Sequence, residues 1–189
     1  RPMIERHQGP LFNVGGFIFI SAPPSVTPFH IDRENNFWLQ LHGRKRISLF
    51  DHRDRAVVDA QAIDQFIVDR SLDAVCLDDA HVSKAHVYDM HAGDGVYFPS
   101  TTPHMTETDA NWHKEGQAVS VSIGIVFYTQ WTRRFARICQ YNVVAQRLGL
   151  PVSYPQVGSI GGEIKGFLGK LLAVIKAKYR GYQPPPGSY

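Results

Sequence analysis

The sequence predicts a mainly β domain of the sandwich or jelly-roll type, followed by α-helices. Three observations predict it. Short apolar runs with a period of two recur between Phe17 and Tyr128. Glycine and proline punctuate them, as they do in all-β folds built from many short strands. From Gln130 onward the apolar residues change to helical spacing.

The elements follow in order. Residues 1–15 carry no clear period and read as an irregular lead-in. Phe17 to Ile20 is a buried strand by composition. Ser21 to Pro28, with three prolines, reads as a loop, and Phe29 to Asp32 as extended chain. Asn36 to His42 and Lys45 to Phe50 are strands joined tightly at Gly43-Arg44, a hairpin signal. Residues 51–85 form a polar excursion with one short helix near Ala60 to Asp69. Strands are expected at His86 to Met90, Val96 to Pro99, His104 to Thr108 and Ala118 to Tyr128, with a turn at Ala92 to Gly95. Gln130 to Leu148 places Trp131, Phe135, Ile138, Ala145 and Leu148 on one helical face, ended by Gly149 and Pro151. Gly162 to Tyr179 does the same with Ile164, Phe167, Leu168, Leu171, Ile175 and Tyr179. The segment from Gln183 through three prolines reads as a polyproline tail.

Composition excludes several classes. A length of 189 residues suits one domain with a sizeable core. Net charge is only +3, which disfavours nucleic acid as the partner, although basic residues gather from Arg133 to Arg180. Cys76 and Cys139 make neither a disulfide framework nor a zinc spacing, so a reduced, cytoplasmic protein is expected. No apolar run approaches the ~20 residues of a membrane span. The chain opens on Arg1 and shows no signal peptide.

The chemistry-bearing pattern is His30-Ile31-Asp32. A period of two puts His30 and Asp32 on one face of an extended segment. Two neutral imidazoles and one carboxylate on a single octahedral face hold non-haem Fe(II) and leave positions open. The third ligand must then come from a distant strand, and His104 opens such a strand after the turn at Ser100 to Pro103. Read alone, the pattern equally fits satisfied core or surface groups. His7, His42, His52, His81, His86, His91 and His113 are read that way.

The surrounding residues resemble a known family. Thr27, Pro28, His30, Asp32, Asn36, Gln40, Gly43, Lys45 and Arg46 stand in register with T-P-x-H-x-D-x-x-x-N-x-x-x-Q-x-x-G-x-K-R. That motif marks the JmjC and cupin-like hydroxylases dependent on Fe(II) and 2-oxoglutarate. The likeness is closest to the asparaginyl hydroxylases of hypoxia-inducible factor and to bacterial cupin-like relatives. A second signature is matched by Gly93-Asp94, Pro99 and His104, and the resemblance runs from about Phe17 to Tyr128.

The resemblance implies a double-stranded β-helix with C-terminal α-helices. The expected organisation is a jelly-roll core over 1–129 lacking its N-terminal part, a helical region over 130–182 and a proline-rich tail over 183–189. It further implies that His30, Asp32 and His104 bind iron, and that O2 is a co-substrate. Lys45 would pair with the far carboxylate of 2-oxoglutarate, assisted by Thr27 and Asn36. This is physically sound, since Lys45 shares a strand face with Ile47 and Leu49, and an inward cation needs an anion. No arginine occurs from Met105 to Trp131, so Lys45 is the credible partner.

The match has departures. Gly124 stands where the hydroxylases carry an asparagine, with Ser122 or a water as substitutes, and Trp38 is bulkier than the usual phenylalanine. Strand parity makes Phe17, Phe19, Trp38 and Thr106 the pocket walls, an aromatic mouth with no fixed charge. The expected activity is hydroxylation of a C–H bond in a protein or peptide side chain, ahead of a small molecule. A homodimer through the C-terminal helices is also expected. The competing readings are a non-catalytic cupin-like module that binds a metal or small acid, and a metal-dependent isomerase.

Overall fold

The computed structural model describes residues 2–116 and 118–180. The proline-rich tail and the His113 side chain lie outside what is described. Two compact units emerge, one made of residues 14–58 and 75–127, the other of residues up to 13, 59–74 and from 128 onward.

The first unit is a jelly-roll-like sandwich of two four-stranded sheets. One sheet has the order β1 (Leu11–Ser21), β8 (Ser120–Thr129), β3 (Asn35–His42), β6 (Gly95–Phe98). The other has the order β2 (Ser25–His30), β7 (His104–Thr108), β4 (Arg44–Leu49), β5 (His86–His91). Trp38, Ile47, Leu49, Met90 and Phe98 form the core between them. Beside β7 lies α3 (Ala110–Lys114), whose buried Trp112 receives the guanidinium groups of Arg44 and Arg46 on its ring at 4.8 and 5.8 Å.

Several expectations are corrected. Residues 1–15 are not irregular, because α1 (Pro2–Gln8) and the start of β1 occupy them. The loop expected over 21–28 gives way to β2 from Ser25, an edge strand that accommodates Pro28 at a register shift between Thr27 and His30. The hairpin at Gly43 does not exist. β3 pairs with β6 and β8, whereas β4 pairs with β5 and β7, so the chain leaves one sheet and enters the other at Gly43. The positive φ of Gly43, 66°, serves this corner as it would serve a hairpin.

The second unit is helical. α2 (Ala60–Asp69) starts on Asp59, whose side chain accepts from the Gln61 amide, and ends on Arg70 in the left-handed region. α4 (Gln130–Arg147) opens with a capping box between Thr129 and Thr132. α5 (Ile160–Arg180) packs on α4. The buried face of α4 keeps Ile138 and Ala145 from the expected one and adds Thr132, Ala136, Cys139, Gln140, Asn142 and Val143, while Trp131 and Leu148 are exposed. On α5 the expected apolar stripe is the outer face, with Ile164, Phe167, Leu168, Leu171, Ile175 and Tyr179 all exposed. The packed face carries Gly162, Gly166, Gly169 and Ala173 instead. Small residues let two helix backbones approach more closely than a layer of large side chains permits.

Beneath α4, the buried Asp64 carboxylate accepts from Asn142 and Gln146 at 3.4 and 3.1 Å. Burial pushes its carboxyl up to about 6, against the lowering effect of hydrogen bonds from Cys139, Asn142, Gln146 and Tyr154. An acid raised from 3.8 in the folded state contributes stability below pH 3.8 that is lost as pH rises through about 6. The loss is roughly 3 kcal/mol. The expected result is that Asp64→Asn gains melting temperature relative to the wild type between pH 4 and pH 7. A melting-temperature difference that stays flat over that interval would contradict it.

Candidate metal centre

The two sheets position the site. β7 lies between β2 and β4, and its register sets His104 opposite His30 of β2 and opposite Leu49 of β4. His30 is the last residue of β2, and Asp32 follows it outside any strand. Asp32 is nevertheless held, because its carbonyl accepts from the Thr101 amide at 2.8 Å. Thr101 is a buried β-branched residue at φ 63°, a conformation that costs energy and marks a tightly constrained corner.

His30, Asp32 and His104 come together with ligand atoms within 4.8 Å of one another. Among the described residues they are the only such group of three or more histidine, cysteine or acidic side chains. Nδ1–H of His30 donates to the Pro28 carbonyl at 2.7 Å, and Nδ1–H of His104 donates to the Thr102 carbonyl at 2.9 Å. A carbonyl can only accept, so both rings keep the Nε2 lone pair free. These Nε2 atoms face the Asp32 carboxylate at 4.0 and 3.6 Å.

The electrostatics agree with ligation. Burial pushes the His104 imidazole down to about 3, helped by repulsion from His30 and opposed by the Thr102 carbonyl. The ring is therefore neutral at physiological pH. Burial raises the Asp32 carboxyl above its usual range, and His30 partly offsets this. A bound cation removes that penalty. One neutral buried imidazole, a second imidazole presenting its Nε2 and a desolvated carboxylate fit a divalent metal of the iron(II) kind.

A cavity of about 320 Å³ opens beside the three residues. Each of the other residues expected at the site lines it: Thr27, Asn36 and Lys45, and the walls Phe17, Phe19, Trp38 and Thr106. Lys45 is buried, at 4% exposure, and its Nζ donates to Ser21 Oγ at 2.9 Å. Burial lowers its pKa, and among the described residues no ion pair offsets that cost. Asn36 Oδ1 is buried without a hydrogen-bond partner. Ser122, expected as a substitute ligand-side group, is fully buried and does not line the cavity.

Two features escaped sequence reasoning. Glu34, half-buried, lines the cavity, so its wall does carry a fixed charge. The signal was present, since Glu34 continues the period of two through His30 and Asp32. Gly124 is not an empty place either. A β-carbon there would lie 3.3 Å from the Phe19 ring and 3.2 Å from Asn36 Oδ1. The ring and the amide occupy the room that a side chain at 124 would need.

Comparison with known proteins completes the description. Residues 11–132 match the JmjC domain family. A search of curated proteins finds no match. Among solved structures, the chain is similar to the DMSP lyase DddQ from Ruegeria pomeroyi DSS-3, at 13% identity, TM-score 0.37, and 60% and 37% coverage of this chain and that one. It is similar to a Cupin 2 conserved barrel domain protein from Salinispora arenicola CNS-205, at 15%, 0.37, 64% and 67%. It is also similar to hydroxypropylphosphonic acid epoxidase from S. wedmorenis, at 10%, 0.37, 60% and 43%. The chain thus spans little more than a third of the lyase's length. The domain match covers well over half of the chain, and on that ground the chain belongs to the JmjC domain family.

Proposed function

We propose that the protein is an Fe(II)- and 2-oxoglutarate-dependent dioxygenase that hydroxylates a C–H bond of a protein or peptide side chain. One observation carries this reading. A triad of ligand-ready groups stands beside one cavity with a buried lysine that has no anionic partner among the described residues. Such a lysine recognises a carboxylate-bearing co-substrate, as a compact point charge on a long stem. His30, Asp32 and His104 would hold the iron, which with 2-oxoglutarate and O2 supplies the oxidising chemistry. Lys45, with Thr27 and the unpaired Oδ1 of Asn36 nearby, would bind and orient the co-substrate. Trp38, Ile47, Phe98 and Val126 would exclude water from it.

The test is an anaerobic titration with Fe(II) and 2-oxoglutarate, followed by the visible charge-transfer band. Lys45→Met is expected to weaken 2-oxoglutarate binding by about 100-fold, since it removes the charge that pairs with a buried carboxylate. Iron binding should persist in that variant. A wild type without the band, or a variant that keeps it, sinks the reading.

The close approach of Phe19 and Asn36 over Gly124 favours a second reading, a cupin-like module that binds a metal and a small acid without turnover. It predicts the band but no succinate with any peptide. A homodimer through α5 is also proposed, because its outer face is apolar and exposed from Ile160 to Tyr179. Phe167→Asp should convert a dimer to a monomer in sedimentation. The protein is not read as a membrane protein, and no helix among the described residues is long and apolar enough to cross one.

A further inference from the structure

The cavity beside the metal centre is lined by residues of the sandwich unit. Besides its histidines, three of the lining side chains are ionisable: Asp32, Lys45 and Glu34. Asp32 belongs to the triad, and Lys45 is assigned above to the co-substrate. Glu34 has no part yet. Its carboxylate is outside the group whose ligand atoms lie within 4.8 Å of one another, so it stands off the metal while facing the same space.

The path of the backbone sets Glu34 and Lys45 on opposite sides of the triad. Residues 32–35 run along the corner that precedes β7. There the Asp32 carbonyl accepts from the Thr101 amide at 2.8 Å, and Asn35 Oδ1 accepts from the Ser100 amide at 3.4 Å. β7 leads away from that corner, with His104 opposite Leu49 of β4 and Thr106 opposite Ile47. Lys45 comes two residues beyond Ile47, so about 13 Å of strand separate it from Leu49. Glu34 is only two residues from Asp32, at most ~7 Å between Cα atoms. Exposure also differs. Lys45 is buried and Glu34 half-buried, so the Glu34 side is the one nearer to solvent.

We infer that Glu34 selects the charge of the substrate: its carboxylate pairs with the cationic nitrogen of a lysine or arginine side chain that reaches toward the metal. This rests on the proposed hydroxylase reading and narrows its substrate from any side chain of a peptide to a basic one. The placement of charge supports it. With a dicarboxylate on the Lys45 side, an acidic substrate would meet like charge from both the co-substrate and Glu34. A neutral apolar side chain would desolvate the Glu34 carboxylate and return no hydrogen bond. A basic side chain does neither. Its methylene stem suits Phe17, Phe19 and Trp38, and its head suits a carboxylate still within reach of water.

The probes are acetylated and amidated pentapeptides, neutral except at a central lysine, arginine, norleucine or glutamate. Their binding to the full chain is measured by calorimetry, anaerobically with Fe(II) and again without metal. The lysine and arginine peptides are expected to bind about tenfold tighter than the norleucine peptide, which keeps the length of lysine without its charge. Raising the salt concentration should shrink that ratio. Glu34→Gln, nearly isosteric, should bring the ratio to about one with the circular dichroism spectrum unchanged. Glu34→Lys should turn the preference toward the glutamate peptide. Equal affinity for the lysine and norleucine peptides overturns the inference, since the carboxylate is then already engaged within the protein or merely solvated. So does the lack of binding by any of them at about 1 mM. A preference that survives Glu34→Gln overturns it by assigning the attraction to Asp32, and loss of iron from Glu34→Gln does so by making Glu34 a ligand. The oxygenase reading is tested apart from this, on the charge-transfer band with 2-oxoglutarate, which is absent from the peptide titrations. A band without a peptide preference removes this inference alone. A preference without a band supports the pairing at Glu34 and removes the hydroxylase reading.

Discussion

Replacing His104 with alanine should lower iron(II) affinity by about 100-fold or more, because it takes one of three ligands from a site that has no spare donor of its kind. Glu34 lines the cavity too, but a half-buried carboxylate on the opposite side of Asp32 in sequence does not restore an imidazole. The His104 ring also packs on Phe98 and His30, with centroids 4.8 and 4.1 Å apart. Its removal opens a cavity and costs about 2–4 kcal/mol of stability as well. A second variant separates the two effects. Asp32→Asn conserves volume at a half-buried position, removes the anionic donor and should lose metal with little change in melting temperature. Thr106→Val, on the same strand and lining the same cavity, should keep the metal. Metal content after anaerobic loading and desalting measures all three. A His104→Ala protein that is folded and still holds one iron per chain would remove His104 from the centre.

The second large effect lies in the helical unit. A β-carbon at Gly169 would run into the Arg137 carbonyl oxygen, and would lie 2.9 Å from the Arg137 carbonyl carbon and 3.2 Å from the Tyr141 nitrogen. These are backbone atoms in the hydrogen-bond ladder of α4, so neither side can retreat without separating the helices. Gly169→Ala should therefore destabilise by about 3 kcal/mol or more. Gly166 stands three residues earlier, where a β-carbon would meet only the Arg137 β-carbon at 4.0 Å. Gly166→Ala should stabilise by up to about 1 kcal/mol, the gain in helix propensity. Thermal unfolding of the two variants gives opposite signs if α4 and α5 pack as described. Equal shifts would contradict that packing.

The residues that line the cavity, Lys45 among them, were legible in the sequence because they rest on parity along a strand, and parity survives whatever the strand pairs with; Asp32, past the end of β2, was legible only through its motif. The corner at Gly43 was not legible. A glycine at positive φ between two alternating segments reads the same whether the chain folds back on itself or crosses to another sheet. Only partners far away in sequence, Phe98 and Val126 for β3 and Met90 for Lys45 in β4, distinguish the two. Helix α5 failed for a related reason. Periodicity locates an apolar stripe, but Gly162, Gly166 and Gly169 show that the tighter contact lies on the side with the least side chain. Residues 1–15 gave no period because α1 buries no residue and only the first five residues of β1 follow it, and Phe17 to Ile20, expected as a buried strand, are exposed because β1 is a sheet edge among the described residues.

Both imidazoles are steered by main-chain carbonyls, those of Pro28 and Thr102, each two residues before its histidine. The orientation of the two rings is therefore inherited from the path of the backbone, whereas burial sets the charge state of His104 and Asp32. Around such a centre, sequence can drift widely while the donor atoms stay poised, and only changes that bend the chain at the Pro28 or Thr101 corners would retune it.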